Sequence, residues 1–158
     1  MEIERKFLVA DVPAGVAAGT WTSLRQGYLA SGPEGEVRVR DAGGALTLTA
    51  KSGAGLVREE REISITQAQF DDLWPLTEGR RIEKRRTVLP AGELRYELDV
   101  FEGTLAGLVI AEVEFASLEQ ARAFAAPSWF GREVTDDPRY TNASLALVGV
   151  PADSEDLR

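Results

Sequence analysis

Cysteine and histidine are both absent from this sequence of 158 residues, and methionine occurs once. Without cysteine there is no disulfide, no thiolate metal site and no thiol nucleophile. Without histidine there is no imidazole general base, no Ser-His-Asp triad and no His-ligated zinc. Any bound metal must then be held by oxygen, which narrows the field to ions such as Mg²⁺, Mn²⁺ or Ca²⁺. No apolar run approaches the ~18 residues of a membrane-spanning helix. Charge begins at Glu2, leaving no signal-peptide core at the start. We therefore expect no membrane partner and a cytoplasmic location. Basic residues are in deficit, 18 Lys and Arg against 26 Asp and Glu, for a net charge of −8. Nucleic-acid binding rests on an excess of Lys and Arg, so no nucleic-acid partner is expected. A small anion remains open, because the local field inside a cleft decides its binding.

What the sequence does contain is charge in alternation. Strands are predicted over 2–9, 24–30, 36–40, 45–51, 57–65, 81–89, 93–101 and 108–115. Short Gly- and Pro-containing breaks such as Ala42-Gly43-Gly44 and Pro90-Ala91-Gly92 separate several of them, which favours antiparallel neighbours. Helices are predicted over 67–74, 119–125 and 138–148. Thr66-x-x-Gln69 and Ser117-x-x-Gln120 have the form of capping boxes before the first two. The apolar residues of these helices are expected to pack on the outward faces of the strands. The length fits one domain, placed over 1–150, with an acidic, floppy tail over 151–158.

Successive side chains of a strand point to opposite faces. Glu2, Glu4 and Lys6 thus share one face, while Ile3 and Phe7 share the other. The same sorting puts Arg38 and Arg40 opposite Val37 and Val39, and Thr47, Thr49 and Lys51 opposite leucines. Arg58, Glu60 and Glu62 lie opposite Ile63 and Ile65, and Arg95, Glu97 and Asp99 opposite Leu98 and Val100. Glu112 and Glu114 lie opposite Val113 and Phe115. Lys84 and Arg86 share parity with Ile82, so alternation alone leaves their direction open. One such strand reads as a sheet with a wet outer face, and a salt-bridged exterior would account for several. The recurrence of like-signed pairs on separate strands instead suits a sheet curled with its charged face inward. A tunnel lined by both signs suits a metal-bound polyphosphate. Carboxylates would hold the ion, and Arg and Lys the remaining phosphate oxygens.

These segments resemble the CYTH proteins, also called triphosphate tunnel metalloenzymes. The resemblance is carried, in order, by Glu2-x-Glu4-x-Lys6, Arg38-Val39-Arg40, Leu48-Thr49-Ala50-Lys51, Arg58-x-Glu60-x-Glu62, Glu83-Lys84-Arg85-Arg86, Glu97-Leu98-Asp99-Val100-Phe101 and Ala111-Glu112-Val113-Glu114-Phe115. It extends to Trp129-Phe130-Gly131-Arg132-Glu133-Val134-Thr135 and Arg139-Tyr140-x-Asn142. It implies a mainly β, α+β fold: an eight-stranded antiparallel β-barrel with a charged interior and helices packed outside, the third helix capping one mouth. It implies Glu2, Glu4, Glu112 and Glu114 as metal ligands for Mg²⁺ or Mn²⁺. Lys6, Arg38, Arg40, Lys51, Arg58, Lys84, Arg86 and Arg139 would grip phosphates, with Glu2, Glu4, Lys6 and Arg40 central to catalysis. Glu60, Glu62, Glu97 and Asp99 would be supporting carboxylates. The expected activity is metal-dependent hydrolysis of tripolyphosphate to pyrophosphate and phosphate, by a monomer or homodimer acting on a small polyphosphate or organic triphosphate. Adenylyl cyclase chemistry, thiamine or nucleoside triphosphate hydrolysis, and a non-catalytic polyphosphate-binding module are the alternatives. Among the aromatics, Tyr28 could reach a tunnel mouth, whereas Trp74 and Trp129 are expected to pack as core.

Overall fold

A computed structural model describes residues 3–52 and 59–154. Eight strands make one antiparallel sheet: β1 (Ile3–Leu8), β2 (Thr22–Gly32), β3 (Gly35–Ala42), β4 (Ala45–Ser52), β5 (Glu59–Ser64), β6 (Arg81–Ala91), β7 (Leu94–Phe101) and β8 (Val109–Phe115). Their order is β1-β8-β7-β6-β2-β3-β4-β5. Four α-helices accompany them among the described residues: α1 (Ala14–Ala17), α2 (Gln67–Leu73), α3 (Leu118–Ala123) and α4 (Asn142–Val148). All eight expected strands are present, with ends moved by a few residues. Helix α1 was not expected; it is four residues long and buries none of them, so it leaves no apolar period to read.

Local chemistry sets the turns and caps. Gly43 and Gly44, both at positive φ (61° and 95°), join β3 to β4, the backbone that a tight hairpin with matching twist requires. Thr66 and Gln69 form the full capping box on α2. On α3 the reciprocal half shifts by one residue: Ser117 accepts from the Gln120 amide, but the Gln120 side chain accepts from Ala116. The expected helix over 138–148 is broken at Thr141, whose backbone is extended (ψ 149°). A 3-10 turn (Pro138–Tyr140) precedes it, and Thr141 caps α4 by accepting from the Ser144 amide at 3.2 Å. Residues 152–154 form another 3-10 turn, in which Asp153 pairs with Arg139 at 3.0 Å.

The expected eight-stranded barrel is an open, curled sheet. Strands β1 and β5 end the strand order and do not pair with each other among the described residues. Both carry glutamates toward the concave face, Glu4 on β1 and Glu60 and Glu62 on β5, and like charges opposed across a ladder are destabilising. The curl is nevertheless deep, because side chains from all eight strands line one cavity.

The concave face is not charged throughout. Leu8, Tyr28, Ile82, Phe101 and Ile110 share its parity, and they gather around Tyr140, Leu145 and Ala146. Helix α4 therefore sits inside the curl and plugs one end, where a helix capping one mouth was expected, and its apolar residues meet the inner face of the sheet instead of the outer. The reason is that the inner face turns apolar there and must be covered. It also explains why Ile82 shares a face with Lys84 and Arg86: all three point inward, Ile82 onto the plug. The convex face is the second core, where Phe7, Leu98, Val113 and Phe115 meet Ala121 of α3 and the Phe124–Phe130 region. Trp129 packs there edge-on to Phe130 with ring centres 4.6 Å apart. Trp74 stacks on Phe70 at 5.2 Å, under the guanidinium groups of Arg25 and Arg81. Near it, Thr77 fills the space beside Gly27 so closely that a methyl group on that residue would collide with its side chain.

Candidate active site

The concave face encloses a cavity of about 760 Å³. Strand register builds its walls. Glu4 faces Glu114 and Lys6 faces Glu112 across β1 and β8, and Glu112 faces Glu97 across β8 and β7. On the other side Lys51 lies between Glu36 and Glu60, and Arg38 and Arg40 stand opposite Thr49 and Thr47. A β-bulge between Tyr28 and Ala30 resets the parity of β2, so that Tyr28 and then Ser31 both face in.

The structure brings most of the expected residues together. Glu4, Lys6, Arg38, Arg40, Lys51 and Arg86 line the cavity, as do Glu60, Glu62, Glu97, Glu112 and Glu114. Lys84 and Asp99 lie beneath the surface, 2% and 3% exposed, outside the lining. Arg139 is also outside it, half-exposed and bound to Asp137 at 2.7 Å and Asp153 at 3.0 Å. Its cationic fork is satisfied by two carboxylates that the sequence pattern did not pair with it. Glu2 and Arg58 lie outside the described residues. Arg95, Glu36, Ser31, Thr141 and Asn142 also line the cavity. Alternation already put Arg95 on this face, although the resemblance gave it no role. Ser31 was hidden by the bulge, and Thr141 and Asn142 arrive from the plug. Of the aromatics, Tyr28 lines the cavity, whereas Trp74 and Trp129 do not.

The floor is held by a buried ion-pair network. Asp99 accepts from Lys84 at 2.8 Å and from Arg86 at 2.7 and 2.9 Å. Burial alone would push the Asp99 carboxyl up, but the two cations hold it below the usual carboxylate range. Burial lowers the Lys84 ammonium against the raising pull of Asp99. Arg86, despite burial, is held above its ordinary value by Asp99, and its other arm meets Glu97 at 3.0 Å. Among the described residues Arg40 has no such carboxylate hydrogen-bond partner: burial, then repulsion from Arg38 and Arg86, lower its pKa. The Nε of Arg38 is buried without a hydrogen-bond partner among the described residues. Buried polar groups are normally satisfied, so this cationic side offers donors for an anion.

On the acidic side, burial and then the hydrogen bond and charge of Glu4 push the Glu112 carboxyl up to about 7. Glu112 thus keeps its proton up to near neutrality, beside Glu4. No three carboxylates among the described residues converge as a finished metal cage. The sign of the stability effect follows from proton binding. Between the ordinary value of 4.5 and about 7 the folded protein keeps a proton that the unfolded chain has released. Stability of the metal-free protein is therefore expected to decline across that window, by up to about 3 kcal/mol for a shift of this size. Melting temperatures of the wild type and Glu112→Gln between pH 5 and 8 check this; the variant should show a clearly shallower decline, and parallel curves would refute the raised Glu112 carboxyl.

No family model matches the chain. It is similar to a protein of Nitrosomonas europaea named inorganic triphosphatase, with 52% identity over 149 residues, covering 92% of this chain and 97% of that protein. A second protein of that name, from Acetivibrio thermocellus, is 38% identical over 147 residues and is covered over 92% of its length, with 91% of this chain. The crystal structure of an inorganic triphosphatase superposes with a TM-score of 0.76 and 47% identity, covering 96% of this chain and 97% of that one.

Proposed function

The chain belongs to the inorganic triphosphatases of the triphosphate tunnel (CYTH) family, and from that premise we propose that it hydrolyses tripolyphosphate to pyrophosphate and phosphate with the help of a divalent metal ion. The observation that carries this reading is the cavity itself, where Lys6, Arg38, Arg40, Lys51, Arg86 and Arg95 stand across from an acidic wall. A linear polyphosphate is an anion along its whole length, and forked guanidinium groups bind its oxygens two at a time. The unpartnered Arg38 Nε and the like-charge crowding at Arg40 are both relieved by such an anion. Tyr28 alone among the aromatics lines the space, so no sandwich for a nucleobase is built there.

The acidic wall fits a hard cation. The proton that Glu112 keeps near neutrality is one a divalent ion would displace, and Glu114 lies directly across the ladder from Glu4. All donors are carboxylate oxygens, which suits Mg²⁺ or Mn²⁺. Such an ion, when bound, would neutralise phosphate charge and help orient the attacking water. In the reaction the water oxygen bonds to a terminal phosphorus, the bond from that phosphorus to its bridging oxygen breaks, and pyrophosphate leaves. The protein's own part is to hold the chain in line and to meet charge as it moves onto the leaving group. Arg38, Arg40 and Arg86 carry that task, and Lys6 and Lys51 fix the ends.

The test is phosphate release from tripolyphosphate, ATP, thiamine triphosphate and pyrophosphate, with Mg²⁺ and with Mn²⁺. Tripolyphosphate is expected to be cleaved far faster than the others, only with metal, with the metal requirement raised at least about tenfold in Glu4→Gln. Silence on tripolyphosphate, or equal behaviour of wild type and variant, would sink the proposal.

A further inference from the structure

Gln26 is among the most deeply buried polar residues described, 1% exposed, and it lies behind the cavity wall on the central strand β2. It stands directly across the ladder from Arg40. Its Oε1 accepts from Arg40 Nε at 2.9 Å, and its Nε2 donates to the Tyr28 hydroxyl at 3.0 Å. Arginine Nε can only donate, so the amide has one permitted orientation, and that orientation turns its NH₂ group toward the phenol oxygen. One side chain thereby fastens two groups that line the cavity.

We propose that Gln26 is the positioning residue of this site: it aims the Arg40 guanidinium into the cavity through a neutral hydrogen bond and so keeps its charge available to the substrate. This rests on the triphosphatase reading. The contrast with Arg86 shows what is at stake. Arg86 is held by the carboxylates of Asp99 and Glu97, so its charge is largely matched within the protein. Arg40 is held by an amide, and none of its hydrogen bonds goes to a carboxylate. Nε is engaged by Gln26, which leaves the two terminal nitrogens, four donors in a planar fork, for phosphate oxygens. A glutamate at this position would fit the same space but would pair with Arg40. It would also replace the N–H that donates to the Tyr28 hydroxyl with a carboxylate oxygen, so that the phenol would have to donate in its place. The sequence carries no sign of this role, because a lone Gln on an inward strand position reads as an ordinary polar residue.

The experiment compares Gln26→Glu and Gln26→Met with the wild type for tripolyphosphate hydrolysis, together with melting temperature with and without tripolyphosphate. Gln26→Glu keeps the side-chain volume. Its KM is expected to rise about tenfold or more, with a smaller change in kcat, because the cavity loses net positive charge. Gln26→Met leaves the charge but releases the guanidinium, so kcat should fall about tenfold or more. In an Arg40→Ala background, Gln26→Met should add little further loss, which a purely structural role would not produce. The inference is overturned if Gln26→Glu folds and keeps kcat and KM within twofold of wild type, or if the double-variant losses simply multiply. If wild-type protein releases no phosphate, the triphosphatase reading falls by itself. The inference is then judged on the melting shift produced by tripolyphosphate, which must be smaller in Gln26→Glu than in the wild type; an equal shift, or none in either, overturns it.

Discussion

Replacement of Asp99 by alanine is expected to cost about 3–5 kcal/mol of folding stability, the range for removing one partner of a buried charge network. Asp99 and Lys84 are 3% and 2% exposed, and three hydrogen bonds of 2.7–2.9 Å converge on the carboxylate. Deleting it strands the Lys84 ammonium beside Arg86, with Arg40 adding further repulsion. A buried ammonium in that position gives up its proton more readily. In the variant the unfolded chain then binds more protons than the folded one over the range from the lowered Lys84 value up to about 10.4. Its stability should consequently recover as pH rises toward 9–10, the same sign as the wild-type carboxylate's contribution but in an alkaline window. In the wild type, the Asp99 contribution is present above the ordinary aspartate value and is lost as acid takes pH through its lowered value. Urea unfolding of both proteins at pH 6 and pH 9 provides the measurement. A loss under about 1 kcal/mol with no recovery at pH 9 would mean that the network does not hold the floor together.

Arg40→Ala is expected to separate stability from activity. In the wild type the guanidinium is half-buried, and burial together with Arg38 and Arg86 disfavours its charge. Removing it relieves that crowding, so the melting temperature should hold or rise, apart from the lost bond to Gln26. Activity should fall by about 2–4 kcal/mol of transition-state stabilisation, roughly 30- to 1000-fold in kcat/KM, as for a desolvated charge-assisted donor. Arg40→Lys should restore little of this, because an ammonium cannot hold Gln26 and still present a planar fork. The check is kcat/KM for tripolyphosphate set beside thermal unfolding of the same preparations. Full activity in Arg40→Ala would remove the residue from the site. A large drop in melting temperature with proportionate activity loss would make it a structural residue. The expected trade, a site that is uncomfortable until the anion arrives, is common where function demands charges that folding alone would not assemble.

Alternation of charge and apolar residues has period two, and so does a strand; this match is local. For that reason the eight strands, antiparallel hairpins such as β3-β4 and β6-β7, and the shared faces of Glu4 with Lys6, Arg38 with Arg40 and Glu112 with Glu114 could be read from residues alone. The absence of histidine and cysteine likewise confined the chemistry to oxygen ligands and cations without any coordinates. Everything decided by distant contacts needed the fold. Parity cannot say how far along an inward face the charge extends before apolar residues take over, so how α4 seats against that face was decided by the cluster of Leu145 with Tyr28 and Ile82, where the resemblance had implied only a cap on one mouth. Nor can parity tell a cavity-lining cation from a buried one: Arg86 and Lys84 are two residues apart on one strand, yet one reaches the cavity and the other ends beneath it on Asp99. Arg139, expected among the phosphate contacts, is held by two carboxylates, one of them fourteen residues away. The open edge between β1 and β5, and the hold of Gln26 on Arg40, belong to the same class. Each depends on which strands the curl of the sheet brings near one another, a property of the whole chain that no short stretch of sequence encodes.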